Sequence, residues 1–253
     1  MITISLANQK GGVGKTTSAI ELGARFQQIG YKTVVVDLEQ QSDTTNYCGG
    51  RVDVPGTYEV LKGEVSATEA VQHLDEFDLI SASEKLSKAD VEFSEARDIL
   101  LLRKQLKALN SVYDFCIIDT NPGRNKLLQM AYIASDYIII PTDADDGSVK
   151  GIRSVFKDLK DYKEDGWTDA KVLGVIFTRA ESTSMHRFQE EQIKEILEEN
   201  KSDAFLMKIR KGVAATECKT EGTSMQSGKT YSNPAVDYRK VCDKIIEQLE
   251  KEE

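Results

Sequence analysis

Two lysines five positions apart lie on one glycine-rich stretch, NQKGGVGKTT, at residues 8–17. Small residues allow a backbone to curl around a phosphate chain with its N–H groups pointing inward, and a following helix N-terminus adds partial positive charge. In such a loop Lys15 would reach the β- and γ-phosphates, Thr16 would bind Mg²⁺ and Thr17 would reach the α-phosphate. One lysine is enough for this chemistry, so Lys10 needs a separate explanation.

The backbone of the same stretch supplies the other predicted phosphate contacts, at Gly11, Gly12, Val13 and Gly14. An apolar run precedes the stretch and a helical pattern follows it, which is the context that a phosphate-binding loop requires. A dinucleotide-binding fold is the competing interpretation, because Asp37 follows at a suitable distance for a ribose-binding acid. That fold needs a glycine three residues after Gly14, where this chain has Thr17, so the phosphate loop is favoured.

Short apolar runs alternate with helical patterns along the whole chain. Predicted strands cover residues 3–8, 33–37, 77–82, 114–119, 136–141, 172–177 and 204–209. Predicted helices cover residues 15–28, 94–109, 125–134, 147–163, 184–199 and 235–251. Several strands are continuous runs rich in Val and Ile, as expected for strands buried on both faces. The alternation predicts one α/β domain over residues 1–253, with a mostly parallel, doubly wound sheet flanked by helices.

Acidic residues stand where two of these strands end. Asp37 and Glu39 follow the second predicted strand, and Asp119 ends the run FCIID. In open α/β sheets the ligand lies beyond the carboxyl ends of the strands. These carboxylates are therefore expected on the same edge of the sheet as the glycine-rich loop.

Composition indicates an ordinary globular protein. Of the 253 residues, 40% are hydrophobic and 30% are charged, and the net charge of −9 argues against a surface that coats nucleic acid throughout. No apolar run is long enough to span a membrane, and the N-terminus reads as a strand, so we expect a cytoplasmic protein. Four widely spaced cysteines are expected as reduced thiols, with Cys116 filling the core.

The glycine-rich stretch departs from the usual phosphate-loop pattern, since Gln9 stands where that pattern has glycine. With Lys10 it resembles the deviant phosphate loop of the ParA/MinD family of ATPases, KGGxGKT[ST]. The resemblance implies a P-loop NTPase that binds ATP or ADP with Mg²⁺ and forms a homodimer around ATP. It also implies a role for Lys10, which would contact the phosphates bound by the partner subunit and act like an arginine finger.

Two further segments extend the resemblance to the carboxylates. DLEQQSDTT matches the family's D-x-D-P-Q at Asp37 and Gln41, but Glu39 replaces the second Asp, which the family ties to the attacking water. The extra methylene makes slow or partner-dependent hydrolysis the expectation, because a shift of about 1 Å can cost about 10²-fold in rate. FCIIDTNPG resembles the Walker B segment and implies that Asp119 holds Mg²⁺, with Asn121 where the family often has Pro.

The remaining matches are looser. VLGVIFTR resembles the strand whose end contacts the base, at Thr178 and Arg179. KIRKGVAATE resembles a loop that helps to form the DNA-binding surface of partition members, which implies a basic patch at Arg187, Lys208, Arg210 and Lys211. The alternative is that these four are scattered, solvated side chains.

The resemblance favours a small ParA-type partition ATPase that binds DNA nonspecifically as an ATP dimer. A centromere- or cargo-binding partner would stimulate hydrolysis, and the ATP form would associate with the nucleoid. A MinD-like membrane role is disfavoured because the tail, residues 239–253, has a net charge of −1, with an apolar stripe expected to pack on the body. A cluster role is disfavoured because no cysteine closely follows Asp119, and operator binding because the chain begins at its first strand. A nucleotide-gated scaffold with little hydrolysis stays open.

Overall fold

The computed structural model describes residues 1–252, apart from the side chain of Asp146. Its strands are β1 (Ile2–Leu6), β2 (Thr33–Asp37), β3 (Val71–His73), β4 (Asp78–Ile80), β5 (Phe115–Asp119), β6 (Tyr137–Thr142), β7 (Lys171–Ala180) and β8 (Phe205–Arg210). Its helices are α1 (Lys15–Gln28), α2 (Asp43–Tyr47), α3 (Thr57–Lys62), α4 (Ala89–Glu92), α5 (Leu101–Leu106), α6 (Lys126–Ala134), α7 (Asp146–Glu164), α8 (Ser184–Glu199), α9 (Ala214–Glu221), α10 (Met225–Gly228) and α11 (Asn233–Glu252).

The described strands form one sheet in the order β3-β4-β2-β5-β1-β6-β7-β8. All neighbours are parallel except β3 and β4. The predicted α/β fold with a mostly parallel sheet is confirmed. β5 lies between β1 and β2, and its last residue, Asp119, is paired with Leu6 on one side and Asp37 on the other. Three strand ends therefore meet at one edge of the sheet.

Alternate residues of the central strands pack against different helix layers. Val35 and Ile117 join a cluster with α1, α9 and α11, whereas Val36 and Ile118 join a cluster with α3, α5 and α6 on the opposite face. A third cluster packs Ile138 and Ile140 of β6 against α7 and α8. Burial on both faces explains why these strands read as continuous apolar runs in the sequence.

Most predicted elements are confirmed, with boundaries shifted by one or a few residues. Helices 15–28 and 184–199 match α1 and α8. The continuous helix over residues 94–109 is wrong: α5 is flanked by 3₁₀ turns at Ala96–Leu100 and Lys107–Leu109. The buried residues there, Ile99, Leu102, Leu106 and Leu109, are spaced by three, four and three, a spacing that an α-helix also shows, so the apolar pattern alone does not distinguish it from the 3₁₀ turns. The short antiparallel strand β3 was not predicted.

The C-terminal helix packs on the body, as predicted. Val241 and Ile245 are fully buried, Leu249 is buried, and Ile246 packs against the same cluster with α1 and β8. Cys116 is fully buried within β5, as expected, and all four cysteines are free thiols. Within residues 1–252, no helix combines the length and apolar character needed to cross a bilayer.

Candidate functional site

The glycine-rich loop connects β1 to α1 in a conformation that glycine favours. Gly12 and Gly14 have φ of 74° and 92°, and Gly14 is the left-handed N-cap of α1. A Cβ on Gly14 would lie 3.3 Å from Cγ2 of Thr178. The Thr178 hydroxyl lies 3.0 Å from the carbonyl oxygen of Val13, so the end of β7 supports the loop from behind. Glycine suits both positions because it adopts a positive φ without steric strain.

Lys15 is held inside the curl. Its side chain is buried, and Nζ donates to the carbonyl oxygen of Lys10 at 3.1 Å. Burial lowers the pKa of the ammonium, while the nearby carboxylates of Asp119 and Glu39 raise it. Phosphate oxygens would supply the negative charge and the acceptors that a buried lysine needs.

Asp119 collects two hydroxyls at the end of β5. Oγ1 of Thr16 donates to Asp119 Oδ2 at 2.8 Å, and Oγ1 of Thr44 donates to the same oxygen at 2.7 Å. The other carboxylate oxygen, Oδ1, is buried without a protein partner among the described residues. A buried acceptor without a donor is costly unless water or a cation satisfies it. Oxygen ligands from a threonine and a carboxylate suit Mg²⁺, so the residues present fit the predicted metal.

Asp37 is fully buried and holds the next loop in place. Its Oδ1 accepts from the Glu39 N–H at 2.9 Å, and its Oδ2 accepts from the N–H and hydroxyl of Thr45 at 2.9 and 2.7 Å. Burial, followed by the charge of Asp119, raises the pKa of the Asp37 carboxyl, and burial also raises the pKa of Asp119. Asp37 thus fixes the segment that carries Glu39 and Thr44. Its role near the metal and the attacking water stays a prediction.

A cavity of about 410 Å³ opens above these groups. It is called the first cavity here, and it is lined by Gly11, Gly12, Gly14, Lys15, Thr16, Thr17, Glu39, Gln40, Gln41, Asp43, Thr120, Asn121 and Pro122. Glu39 is half-buried there, and burial is the main cause that raises the pKa of its carboxyl. The structure therefore brings the predicted loop residues, Glu39 and the Asp119 carboxylate together at one edge of the sheet.

A second cavity of about 230 Å³ lies on the other side of the loop and shares Gly12, Gly14 and Thr17 with the first. Thr178 and Arg179, predicted near the base, line it. Its remaining walls are Ile209, Arg210, Lys211, Gly212, Ala215, Thr216, Met225, Pro234 and Tyr238. Most of these, together with Thr44 beside Asp119, were missed in the sequence. They come from loops and helices that only the tertiary fold brings together.

Lys10 is paired within its own chain. Its Nζ lies 2.7 Å from Asp145 Oδ1 and 3.5 Å from Asp143 Oδ1, just before α7. Arg179 pairs with the other oxygen of Asp143. The predicted contact of Lys10 with a partner's nucleotide would require these ion pairs to exchange.

Three of the four residues predicted for DNA binding are also paired with carboxylates. Lys208 lies 3.1 Å from Glu190, Lys211 lies 3.1 Å from Glu181, and Arg210 binds both oxygens of Asp237. Arg187 is exposed on α8. Phosphates would have to replace these carboxylates, so the basic patch stays a prediction.

A strand, glycine loop and helix with a buried lysine, beside a carboxylate that collects hydroxyls, define a P-loop nucleoside triphosphatase. Residues 1–172 match the family described as AAA domain. The chromosome-partitioning ATPase Soj of Thermus thermophilus is 28% identical over 98% of this chain and 96% of its own length. The maintenance of carboxysome distribution protein A of Synechococcus elongatus is 32% identical over 70% of this chain and 71% of its own.

A solved structure extends the similarity over the whole chain. A putative plasmid partition protein from Borrelia burgdorferi bound to AMPPNP superimposes with a TM-score of 0.80 and 27% identity, covering 100% of this chain and 99% of that one. The chain belongs to the ParA/MinD family of partition ATPases.

Proposed function

We propose that this chain is a DNA partition ATPase that forms an ATP-sandwich dimer, binds DNA nonspecifically and is reset by partner-stimulated hydrolysis. The observation that carries the proposal is the pair of hydroxyls, from Thr16 and Thr44, on a buried Asp119 whose second oxygen lacks a protein partner beside the phosphate loop. This arrangement suits a metal-bound nucleoside triphosphate.

The two cavities suggest how ATP or ADP lies in the site. The phosphates would occupy the first cavity, within reach of Lys15 and the loop N–H groups, and the base would occupy the second. Thr17 lines both cavities and so stands where the α-phosphate joins them. The AMPPNP bound to the Borrelia relative supports a nucleoside triphosphate as the ligand.

Each residue around the first cavity would have its own role in ATP hydrolysis. Thr16 and Asp119 would hold Mg²⁺, which neutralises charge on the transferred phosphoryl group when it is bound. Lys15 would donate to the terminal phosphate. Glu39 would accept a hydrogen bond from the attacking water, and Asp37 keeps it in place through the Glu39 N–H. The longer side chain of Glu39 favours slow turnover until a partner and DNA adjust the site.

Lys10 would act on the nucleotide of the other subunit. To do so it exchanges Asp145 and Asp143 for phosphate oxygens. Both acids lie next to α7, so the exchange would link nucleotide binding to the position of this helix. Dimerisation would present two copies of the patch formed by Arg187, Lys208, Arg210 and Lys211, and phosphate contacts add across such copies.

The first test measures phosphate release and dimer formation with Mg·ATP. We expect Lys10→Ala to bind ATP like the wild type but to lose ATP-dependent dimerisation or turnover. Lys160→Ala, an exposed lysine on α7 outside both cavities, is the matched control. A Lys10→Ala variant that dimerises and hydrolyses normally would rule out the role in trans.

The second test measures binding to a nonspecific duplex with Mg²⁺ and either ATP or ADP across a salt series. We expect binding that needs ATP and weakens steeply with salt. Binding that neither nucleotide promotes would remove the DNA branch and leave a MinD-like positioning role. Turnover that stays absent with DNA and partner would instead favour a nucleotide-gated scaffold.

A further inference from the structure

Asn121 is a buried polar residue of the first cavity that no step above uses. It lies two residues after Asp119, is 8% exposed and lines the cavity. Its Oδ1 is buried without a hydrogen-bond partner among the described residues. A buried carbonyl oxygen without a donor is costly, so Oδ1 stays unsatisfied until a donor such as a bound water reaches it.

The loop that carries Asn121 is fixed on both sides. Before it, the Thr120 hydroxyl donates to the carbonyl oxygen of Leu6 at 2.7 Å. After it, the Gly123 N–H donates to the carbonyl oxygen of Gln9 at 3.0 Å. A side chain on such a loop is preorganised, which is what electrostatic stabilisation of a reacting group needs.

A buried carboxylate on α7 adds a third anchor. Asp158, 2% exposed, accepts from Nε2 of Gln9 at 3.1 Å and pairs with Arg124. Gln9 begins the glycine-rich loop and Arg124 follows Gly123, so one carboxylate joins the two loops, and residues of both loops line the first cavity. The anchors keep Asn121 at a set distance from the phosphate loop.

The position of Asn121 relative to the second cavity indicates which phosphate it meets. Asn121, Pro122 and Glu39 line the first cavity and not the second. A Cβ on Gly11 would lie 3.7 Å from Pro122, so this wall faces the start of the phosphate loop. A nucleotide with its base in the second cavity would direct its terminal phosphate toward this wall.

We propose that Asn121 is a catalytic residue whose carboxamide hydrogen-bonds the terminal phosphoryl group of ATP. The inference rests on the proposed function. The carboxamide offers two N–H donors and an acceptor oxygen, so it can donate to a phosphate oxygen while its own oxygen accepts from a bound water. Asn121 would thereby let the site distinguish a triphosphate from a diphosphate.

The test compares Asn121→Ala and Asn121→Asp with the wild type. We expect Asn121→Ala to weaken AMPPNP binding about fivefold or more and to leave ADP binding within about twofold, because only the triphosphate reaches the carboxamide. kcat should fall about tenfold or more. Asn121→Asp, which keeps the shape but adds a negative charge near Asp119, should lose more than Asn121→Ala in both measurements. Asn110→Ala, at the end of a 3₁₀ turn away from both cavities, is the control.

Equal loss of AMPPNP and ADP binding, or an Asn121→Ala variant with unchanged AMPPNP affinity and kcat, would overturn the inference. A lowered melting temperature with unchanged selectivity for AMPPNP over ADP would also overturn it, since that is a structural effect. If the wild type binds nucleotide but does not hydrolyse it, the hydrolysis in the proposed function fails while the AMPPNP-to-ADP ratio still tests Asn121.

Discussion

The two cavities on either side of the glycine loop are built in different ways. The first is walled mostly by glycines and polar side chains that follow β1, β2 and β5, three neighbouring strands. The second is walled by side chains from the ends of β7 and β8 and from α9 to α11, including buried Met225 and Tyr238. The difference shows that the shape of the first cavity depends on strand register, whereas the shape of the second depends on helix packing.

Buried carboxylates lie behind both cavities, but they accept hydrogen bonds from different kinds of group. Behind the first, Asp37 and Asp119 collect threonine hydroxyls. Behind the second, fully buried Glu21 of α1 accepts from the Met225 N–H at 2.7 Å and from Nε2 of Gln226 at 2.8 Å. Glu21 thus anchors a wall of the second cavity to the helix that begins at the phosphate loop.

The largest expected effect comes from removing the lysine of the first cavity. Lys15→Ala should lower turnover about 10³-fold, because a preorganised charge on the terminal phosphate is lost. Phosphate release measures the effect, and an unchanged melting temperature shows that the fold survives. A residual rate above about a tenth of wild type would mean that the first cavity is not where phosphates react.

Titration of Glu21 should make the second-cavity wall sensitive to pH. Burial raises the pKa of this carboxyl to about 7, above its ordinary 4.5, so the folded state keeps a proton that the unfolded state releases. The stabilisation is complete below about pH 4.5 and is lost as pH rises toward 7, by at most about 3 kcal/mol. We expect Glu21→Gln to flatten the dependence of the free energy of unfolding on pH between 5 and 8.

Denaturant titrations of the nucleotide-free protein at several pH values provide that measurement. Asp37 and Asp119 have raised pKa values and contribute a slope of the same sign, which the Glu21→Gln variant keeps. A Glu21→Gln slope identical to that of the wild type would show that Glu21 does not titrate in this range.

The hydroxyl of Thr44 should tune metal binding at the first cavity. Thr44→Val keeps the shape but removes a hydrogen bond to the carboxylate of Asp119. Partners of metal ligands are worth about 10- to 100-fold in metal affinity, so the Mg²⁺ concentration for half-maximal turnover should rise about tenfold. Thr44→Ser, which retains the hydroxyl, should stay close to wild type. The same Mg²⁺ requirement for Thr44→Val and Thr44→Ser would contradict a role of the hydroxyl in metal binding.

The smallest expected effect tests whether the base and the phosphates of ATP occupy separate cavities. Thr216→Phe places a ring at an exposed helix position that lines only the second cavity. ATP affinity should fall about fivefold to tenfold, because part of the space for the base is filled. Affinity for inorganic tripolyphosphate, measured by competition, should not change. Thr220→Phe, one turn further along α9, is the control, and a matching loss for tripolyphosphate would argue against two separate subsites.

The same contrast explains what the sequence could predict. Lys15, Thr16 and the glycines are contiguous, and Asp37 and Asp119 end apolar runs, so strand order alone places them together. Thr44 lies in a short helix seven residues after Asp37, and its contact with Asp119 depends on how that loop folds back. Met225 and Tyr238 lie more than 200 residues from Gly14 along the chain, and no periodicity in the sequence links them to it.

Ion pairing between distant segments also could not be predicted from the sequence. The four basic residues at 187, 208, 210 and 211 look like a patch in the sequence, because the acids that pair with three of them lie elsewhere along it. Asp237, Glu190 and Glu181 neutralise three of these four residues through tertiary contacts. Lys10 follows the same rule with Asp143 and Asp145. Side-chain pairing across distant segments is not written in local spacing.

The place of β8 at the end of the sheet has a consequence for solubility. An edge strand exposes unpaired backbone groups that another copy of the chain can extend, and charged side chains on the strand oppose this. β8 carries Lys208 and Arg210, and the opposite edge strand, β3, is only three residues long. Replacing both basic residues with neutral ones would take every charge off the strand itself, leave their partners Glu190 and Asp237 unpaired, and favour edge-to-edge aggregation at high protein concentration, whether or not DNA is present.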